Sequence, residues 1–223
     1  MSPFEKNLRF FLGTYIGNSS LLFPYNYKRE HNQKKIIRAS SDLCVEGFQR
    51  SGNSFFVMLF RRKNKDVNLA HHMHSAVQVI KAIELQVPVI VLIRKPEDAV
   101  ASLITWDDTL TIGVALYAYR SFYNKLRDYK SQMVIAPFSE VVSNVGEVIR
   151  KVNRRYSTDF IPMDFTEEQL TKIRTNVANR QKNQLASPIP NQEKAQLNAV
   201  HKERIMKHRS YQATLKVHDS FLT

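Results

Sequence analysis

The run "VPVIVLI", Val87 to Ile93, constrains the fold more than any other stretch of the chain. It is rich in β-branched residues, too short for a typical helix, and so uniformly apolar that neither side of a strand built from it can face water. Such a strand belongs inside a parallel sheet, and parallel neighbours must be joined by crossovers that cover the sheet faces. The rest of the sequence supplies them. "DLCVEGF" is a second apolar run, ending in a glycine, and "NSFFVMLFRR" reads as the helix that leaves it. "VNLAHHMH" predicts another strand, and Ser75 is placed to cap "AVQVIKAIELQ", whose Ala76, Val79, Ile80 and Ile83 share a face. Pro96 needs no amide donor at a helix start, and Glu97 and Asp98 favour the positive end of the helix dipole.

A further helix is expected within 110–130, where Ala115, Tyr119, Phe122, Leu126 and Tyr129 recur at helical spacing as a core stripe. "QMVIAPF" predicts one more strand, and Val145, Val148, Ile149 and Val152 mark the helix after it. Thr166 and Gln169 fit a capping box, and the segments 166–176 and 192–220 read as basic helices separated by "ASPIPN". The expected fold is three-layer α/β/α with a mainly parallel central sheet, P-loop-NTPase-like, with helical N- and C-terminal extensions.

With 223 residues, 43% of them apolar, the chain suits one domain. Residues 1–40 form a basic, aromatic N-terminal extension, 41–165 a core, and 166–223 a basic helical part. The net charge of +13 sits at the ends: the excess of Lys and Arg over Asp and Glu is 5 in residues 1–40, 1 in 41–168 and 7 in 169–223. This distribution suits an anionic partner met by the ends. The single cysteine, Cys44, lies in an apolar run, cannot form an intramolecular disulfide and fits a reducing compartment. With no signal-like or membrane-spanning run, the expectation is a cytoplasmic protein. The segment "LRFFLGTYIGNSSLLFPYNYKR" mixes aromatics with cations; it is read as packed on the domain, with peripheral membrane contact as the alternative.

The loop between the first strand and its helix carries chemistry. In "VEGFQRSGNSFF", Gly47 and Gly52 have P-loop spacing and Ser54 is present, but Asn53 stands where a nucleotide-hydrolysing loop has lysine. The cation is Arg50, inside the loop. Backbone amides from Gly47 through Ser51, Gly52 and Asn53 would converge on one anion at the helix start, with the Ser54 hydroxyl as a further donor. Arg94 ends the most buried strand, and Ser102 follows two helical turns later, facing back toward that arginine as a second phosphate clamp.

Together "GFQRSGNSF" and "LIRKPEDAVAS" resemble the two cofactor signatures of the sulfotransferase superfamily, of a short bacterial or viral type, which uses 3′-phosphoadenosine 5′-phosphosulfate (PAPS). The resemblance runs over about residues 41–165. It implies that Gly47, Arg50, Ser51, Gly52, Asn53 and Ser54 hold the phosphosulfate, and that Arg94 and Ser102 hold the 3′-phosphate. Phe138 in "APFSEVV" would stack on adenine. A histidine from "LAHHMHS" would serve as base: His72 by spacing, with His71 and His74 as alternates. It also implies that a basic segment near the C-terminus closes over the cofactor, through Arg180 and Lys182 in "NRQKNQLASP". Arg50 and His72 are then the catalytic residues, no metal is called for, and the products are 3′,5′-adenosine bisphosphate and a sulfated hydroxyl or amine. The acceptor is open, as is oligomeric state.

Two other readings stand beside this one. The loop spacing also suits a P-loop nucleotide kinase-like phosphotransferase. The basic ends also suit a nucleic-acid or anion binder, although no recognised nucleic-acid motif is present and the near-neutral middle makes any such contact peripheral. His72 and His74 would share a face of a strand, which makes metal binding there conceivable, but no Cys or carboxylate cluster supports it.

Overall fold

The computed structural model describes residues 1–180 and 192–223; within its helices the side chains of residues 167, 174, 176–180 and 193 fall outside the description. Four strands form one all-parallel sheet: β1 (Leu43–Gly47), β2 (Leu69–His71), β3 (Val89–Ile93) and β4 (Val134–Pro137), in the order β2-β1-β3-β4. As expected from its composition, Val89–Ile93 is an interior strand, buried at every position. Its side chains divide the molecule. Val89, Val91 and Ile93 enter one core, while Ile90 and Leu92 enter another on the opposite face.

The first core is closed by α3 (Ala76–Glu84), α4 (Pro96–Trp106), α5 (Ile112–Leu126) and α10 (Tyr211–Leu222). The second is closed by α2 (Asn53–Phe60), α6 (Phe138–Ser143), α7 (Val145–Tyr156) and α8 (Glu167–Arg180). This is the three-layer α/β/α arrangement. The chain leaves β1 for β2 on one side and then crosses to β3 on the other, so a crevice opens at the carboxyl ends of β1 and β3.

Several local signals act as the sequence indicates. Ser75 caps α3 by accepting from the Gln78 amide, Pro96 opens α4, and Thr166 with Gln169 forms a reciprocal capping box before α8. The aromatic stripe of α5 is core: Tyr119, Phe122 and Tyr123 are buried, and the two tyrosine hydroxyls donate to the carbonyls of Arg94 and Leu92. They brace the end of β3.

One expectation changes. The strand expected across "VNLAHHMH" stops at His71, because His72 and His74 take left-handed backbone angles, φ 59° and 50°. These histidines therefore do not share a strand face. The N-terminal aromatic segment is a helix, α1 (Pro3–Asn18), started by a Ser2–Glu5 capping box. It docks on the domain: Asn7 bonds the backbone of Thr109 and Thr111, Phe11 stacks on Tyr117, and Asn18 accepts from the Ala76 amide. Phe4, Leu8, Leu12 and Tyr15 remain exposed along its other side. No helix among the described residues is long and apolar enough to cross a membrane. The last long helix, α9 (Gln192–Met206), lies along α4, pinned by the Thr105–Asn198 hydrogen bond and the Lys202–Asp98 ion pair.

Candidate active site

The crevice is a cavity of about 630 Å³, a size suited to a nucleotide-sized ligand. Residues following all four strands reach it: Arg50 and Ser54 after β1, His72 and His74 after β2, Arg94 and Ser102 after β3, and Phe138 after β4. The sequence reading thus assembled residues that the fold does bring together.

The loop after β1 is shaped by two glycines with separate tasks. Gly47 lies so close to β3 that a Cβ there would sit 2.5 Å from the Leu92 carbonyl oxygen. Gly52 has φ 99°, a backbone conformation costly for other residues, and turns the chain into α2. Asn53, at the position of the missing lysine, closes the loop by donating from Nδ2 to the Phe48 carbonyl at 3.1 Å. It is buried, with Oδ1 left without a partner. Ser51 is fully buried and is not part of the cavity wall.

Arg50 adopts φ 64° and extends across the crevice, where its Nε donates to the Ser102 hydroxyl at 3.1 Å. Ser102 therefore faces Arg50 and not Arg94, the partner its spacing predicts. Arg94 in turn donates to the Arg50 carbonyl at 3.0 Å and lays its guanidinium on the Phe138 ring, 4.1 Å from the centroid. One face of Phe138 is thus occupied by an arginine, and a Cβ on Gly52 would lie 3.2 Å from the same ring.

Sequence reasoning missed a third cation. Lys194 of α9 is only 4% exposed and lines the same cavity. Burial and the positive charges of Arg50 and Arg94 push its pKa down to about 8. Burial likewise lowers both arginines, Arg50 further so through Arg94. Three cations brought together out of water repel one another, and the buried Arg94 Nε has no partner. A polyanion bound here would relieve both costs. The only sequence signal for Lys194 was the basic character of the tail. The closing role expected of Arg180 and Lys182 rests on side chains outside the description.

The histidine segment forms the other wall. His72 Nε2 lies 2.9 Å from Ser54 Oγ, and His72 Nδ1 lies 2.6 Å from His71 Nδ1. His71 Nε2 is 3.0 Å from an Arg61 guanidinium nitrogen, and His74 Nδ1 is 2.8 Å from the Gly47 carbonyl. Burial, with neighbouring positive charge, lowers His71 to about 4 and His72 to about 3, so both are neutral at pH 7.

Beneath them lies Glu46, wholly buried on β1. Its carboxyl accepts from the Met73 and His74 amides and from Gln78 Nε2, each at 2.8 Å, and so ties the histidine turn to the sheet. Burial raises its pKa to about 8 against those donors. Among the described residues no group of His, Cys, Asp and Glu is arranged to hold a metal ion.

Comparison with known proteins adds little sequence likeness. No family model and no curated protein sequence matches the chain. Among solved structures, the chain is similar to mouse sulfotransferase SULT7A1 complexed with PAP, at 10% identity and a TM-score of 0.41, over 86% of this chain and 92% of that one.

Proposed function

We propose that the protein transfers a sulfuryl group from PAPS to a hydroxyl or amine acceptor. The observation that carries the reading is the convergence of Arg50, Arg94 and Lys194 on a cavity entered by a glycine-shaped loop, with a histidine wall beside it. A nucleotide with phosphates at both its 3′ and 5′ positions supplies negative charge at two points, which suits cations drawn from three separate elements. The residues present fit that cofactor: Arg50, the loop amides and Ser54 would take the phosphosulfate, and Arg94, Ser102 and Lys194 the 3′-phosphate.

In such a transfer the acceptor oxygen or nitrogen attacks sulfur in line, and the bond from sulfur to the phosphate oxygen breaks with its electron pair left on the nucleotide. The chain's contribution is positioning and charge. Arg50, held by Ser102, meets the charge that develops on the leaving phosphate. A histidine of the 71–74 turn takes the acceptor's proton. In a nucleotide-hydrolysing loop the hydroxyl at the Ser54 position holds magnesium; here it is engaged by His72, which favours sulfuryl over phosphoryl transfer.

A thermal-shift titration tests the reading. The expected result is stabilisation by 3′,5′-adenosine bisphosphate without magnesium, about 2.7 kcal/mol at a hundredfold excess over Kd, and labelled sulfate transferred from PAPS to one class among glycans, lipids, phenols and alcohols. Stabilisation by magnesium-ATP alone would transfer the assignment to a kinase-like enzyme.

A further inference from the structure

We infer that Arg61, acting through His71, fixes His72 as a hydrogen-bond donor to Ser54, and that the proton acceptor of the site is His74. The inference rests on the sulfotransferase reading for its catalytic half, while the hydrogen-bond relay stands on geometry alone.

A guanidinium carries donors and no acceptor, so the 3.0 Å contact from Arg61 makes His71 Nε2 an acceptor. A neutral imidazole has one proton, and His71 must then carry it on Nδ1. The 2.6 Å contact between the two Nδ1 atoms makes His72 Nδ1 the next acceptor. The single proton of His72 is left on Nε2, where it donates to Ser54 Oγ at 2.9 Å. Burial keeps both rings neutral, as this sequence of donors requires. Lys35 adds its charge to that of Arg61 in holding off a proton.

Two consequences follow for the chemistry. Neither nitrogen of His72 has a free lone pair, so it cannot receive a proton unless the whole relay reverses and sets a His71 proton against Arg61. Ser54 accepts from His72 and keeps its own O–H to donate toward an anion in the cavity it lines.

His74 has the opposite arrangement. The Gly47 carbonyl can only accept, so His74 Nδ1 carries the proton and Nε2 the lone pair. The backbone amide of His74 is anchored on Glu46, its ring lines the cavity, and among the described residues its Nε2 has no partner. As the acceptor's oxygen or nitrogen bonds to sulfur, its proton passes to His74 Nε2. Arg61, His71 and His72 are positioning residues.

Nitrogen-15 spectra of histidine-labelled full-length protein at pH 7 decide the relay without any ligand. The expected result is a proton on Nδ1 of His71, Nε2 of His72 and Nδ1 of His74, with the first two becoming mixed in Arg61→Met. A proton on His72 Nδ1 would overturn the inference. In sulfate transfer from PAPS, His74→Gln should lose about 100- to 10,000-fold in kcat while still binding 3′,5′-adenosine bisphosphate. His72→Gln, whose amide can still donate to Ser54, should act mainly on KM for the nucleotide. The reverse pattern, with kcat lost in His72→Gln and kept in His74→Gln, would also overturn it. Failure of the wild type to bind the bisphosphate would count against the sulfotransferase reading, and the spectra would still decide the relay.

Discussion

Arg50 Nε donates to the Ser102 hydroxyl at 3.1 Å, linking the loop after β1 to the middle of α4 and stretching the loop's cation across the cavity. This contact fixes the direction of a charge that burial and Arg94 already make costly to hold. Replacing Arg50 by alanine should lower kcat for sulfate transfer by about 100- to 1000-fold, the usual cost of one lost electrostatic donor at developing charge. Ser102→Ala keeps the charge but loses one of its tethers and the hydroxyl offered to the 3′-phosphate. It should weaken 3′,5′-adenosine bisphosphate about tenfold, the scale of one hydrogen bond to a charged group, as read by calorimetric titration.

Lys194 gives the site a pH dependence of defined sign. Its pKa is pushed down to about 8, and an anion binds its protonated form more tightly, so nucleotide affinity should fall as pH rises through 8. Burial keeps His72 neutral across this window and lowers His74 as well; Glu46 titrates in the same range beneath the histidine turn, so the Lys194 variants isolate the lysine's share. Lys194→Arg should bind with no such fall, and Lys194→Met should bind weakly at every pH between 7 and 9. Calorimetric titration of 3′,5′-adenosine bisphosphate across that range checks both.

The sheet, its order of elements and most of the crevice were legible in the sequence because each depended on local pattern. Val89–Ile93 announced a buried strand by composition, Ser75 and Pro96 announced helix starts by chemistry, and Gly47 and Gly52 announced a tight loop by spacing. What failed depended on long-range geometry. Whether Ser102 meets Arg94 or Arg50 is decided by Arg50 turning through a positive φ, which no periodicity reports. The histidines read as alternating strand positions until Glu46, 27 positions or so earlier, captures the amides of Met73 and His74 and bends the chain away. Lys194 carries no motif at all; it reaches the cavity only because α9 lies along α4.

Gly47 tests the packing beneath the loop separately from its chemistry. The 2.5 Å approach to the Leu92 carbonyl oxygen is to backbone in the middle of the sheet, which cannot swing aside. Gly47→Ala should therefore cost about 1–3 kcal/mol, in the range of overpacking, and should displace the loop that holds Arg50. Chemical denaturation reads the first effect. A matching loss of bisphosphate affinity reads the second.

Glu46 and the histidines place opposite pH dependences on stability. The folded pKa of Glu46 is raised from the usual 4.5 to about 8, so the folded state keeps a proton that the unfolded chain releases. That stability is fully present below 4.5 and is lost as pH rises to 8. His71 and His72 have folded pKa values lowered from 6.5 to about 4 and about 3, so their contribution is present above 6.5 and lost as pH falls. The two overlap between 4.5 and 6.5, whereas from 6.5 to 8 the glutamate dominates. Over that upper window the wild type should lose about 2 kcal/mol, or roughly 4–8 °C in Tm for a domain of this size. In Glu46→Gln the loss should vanish. That variant should also melt lower at pH 6.5, because an amide offers one acceptor where the Met73 and His74 amides and Gln78 require two oxygens. A wild-type Tm that stays level from pH 6.5 to 8 would show that the three donors hold Glu46 ionised despite its burial. The histidine turn would then be tied to the sheet by a charge.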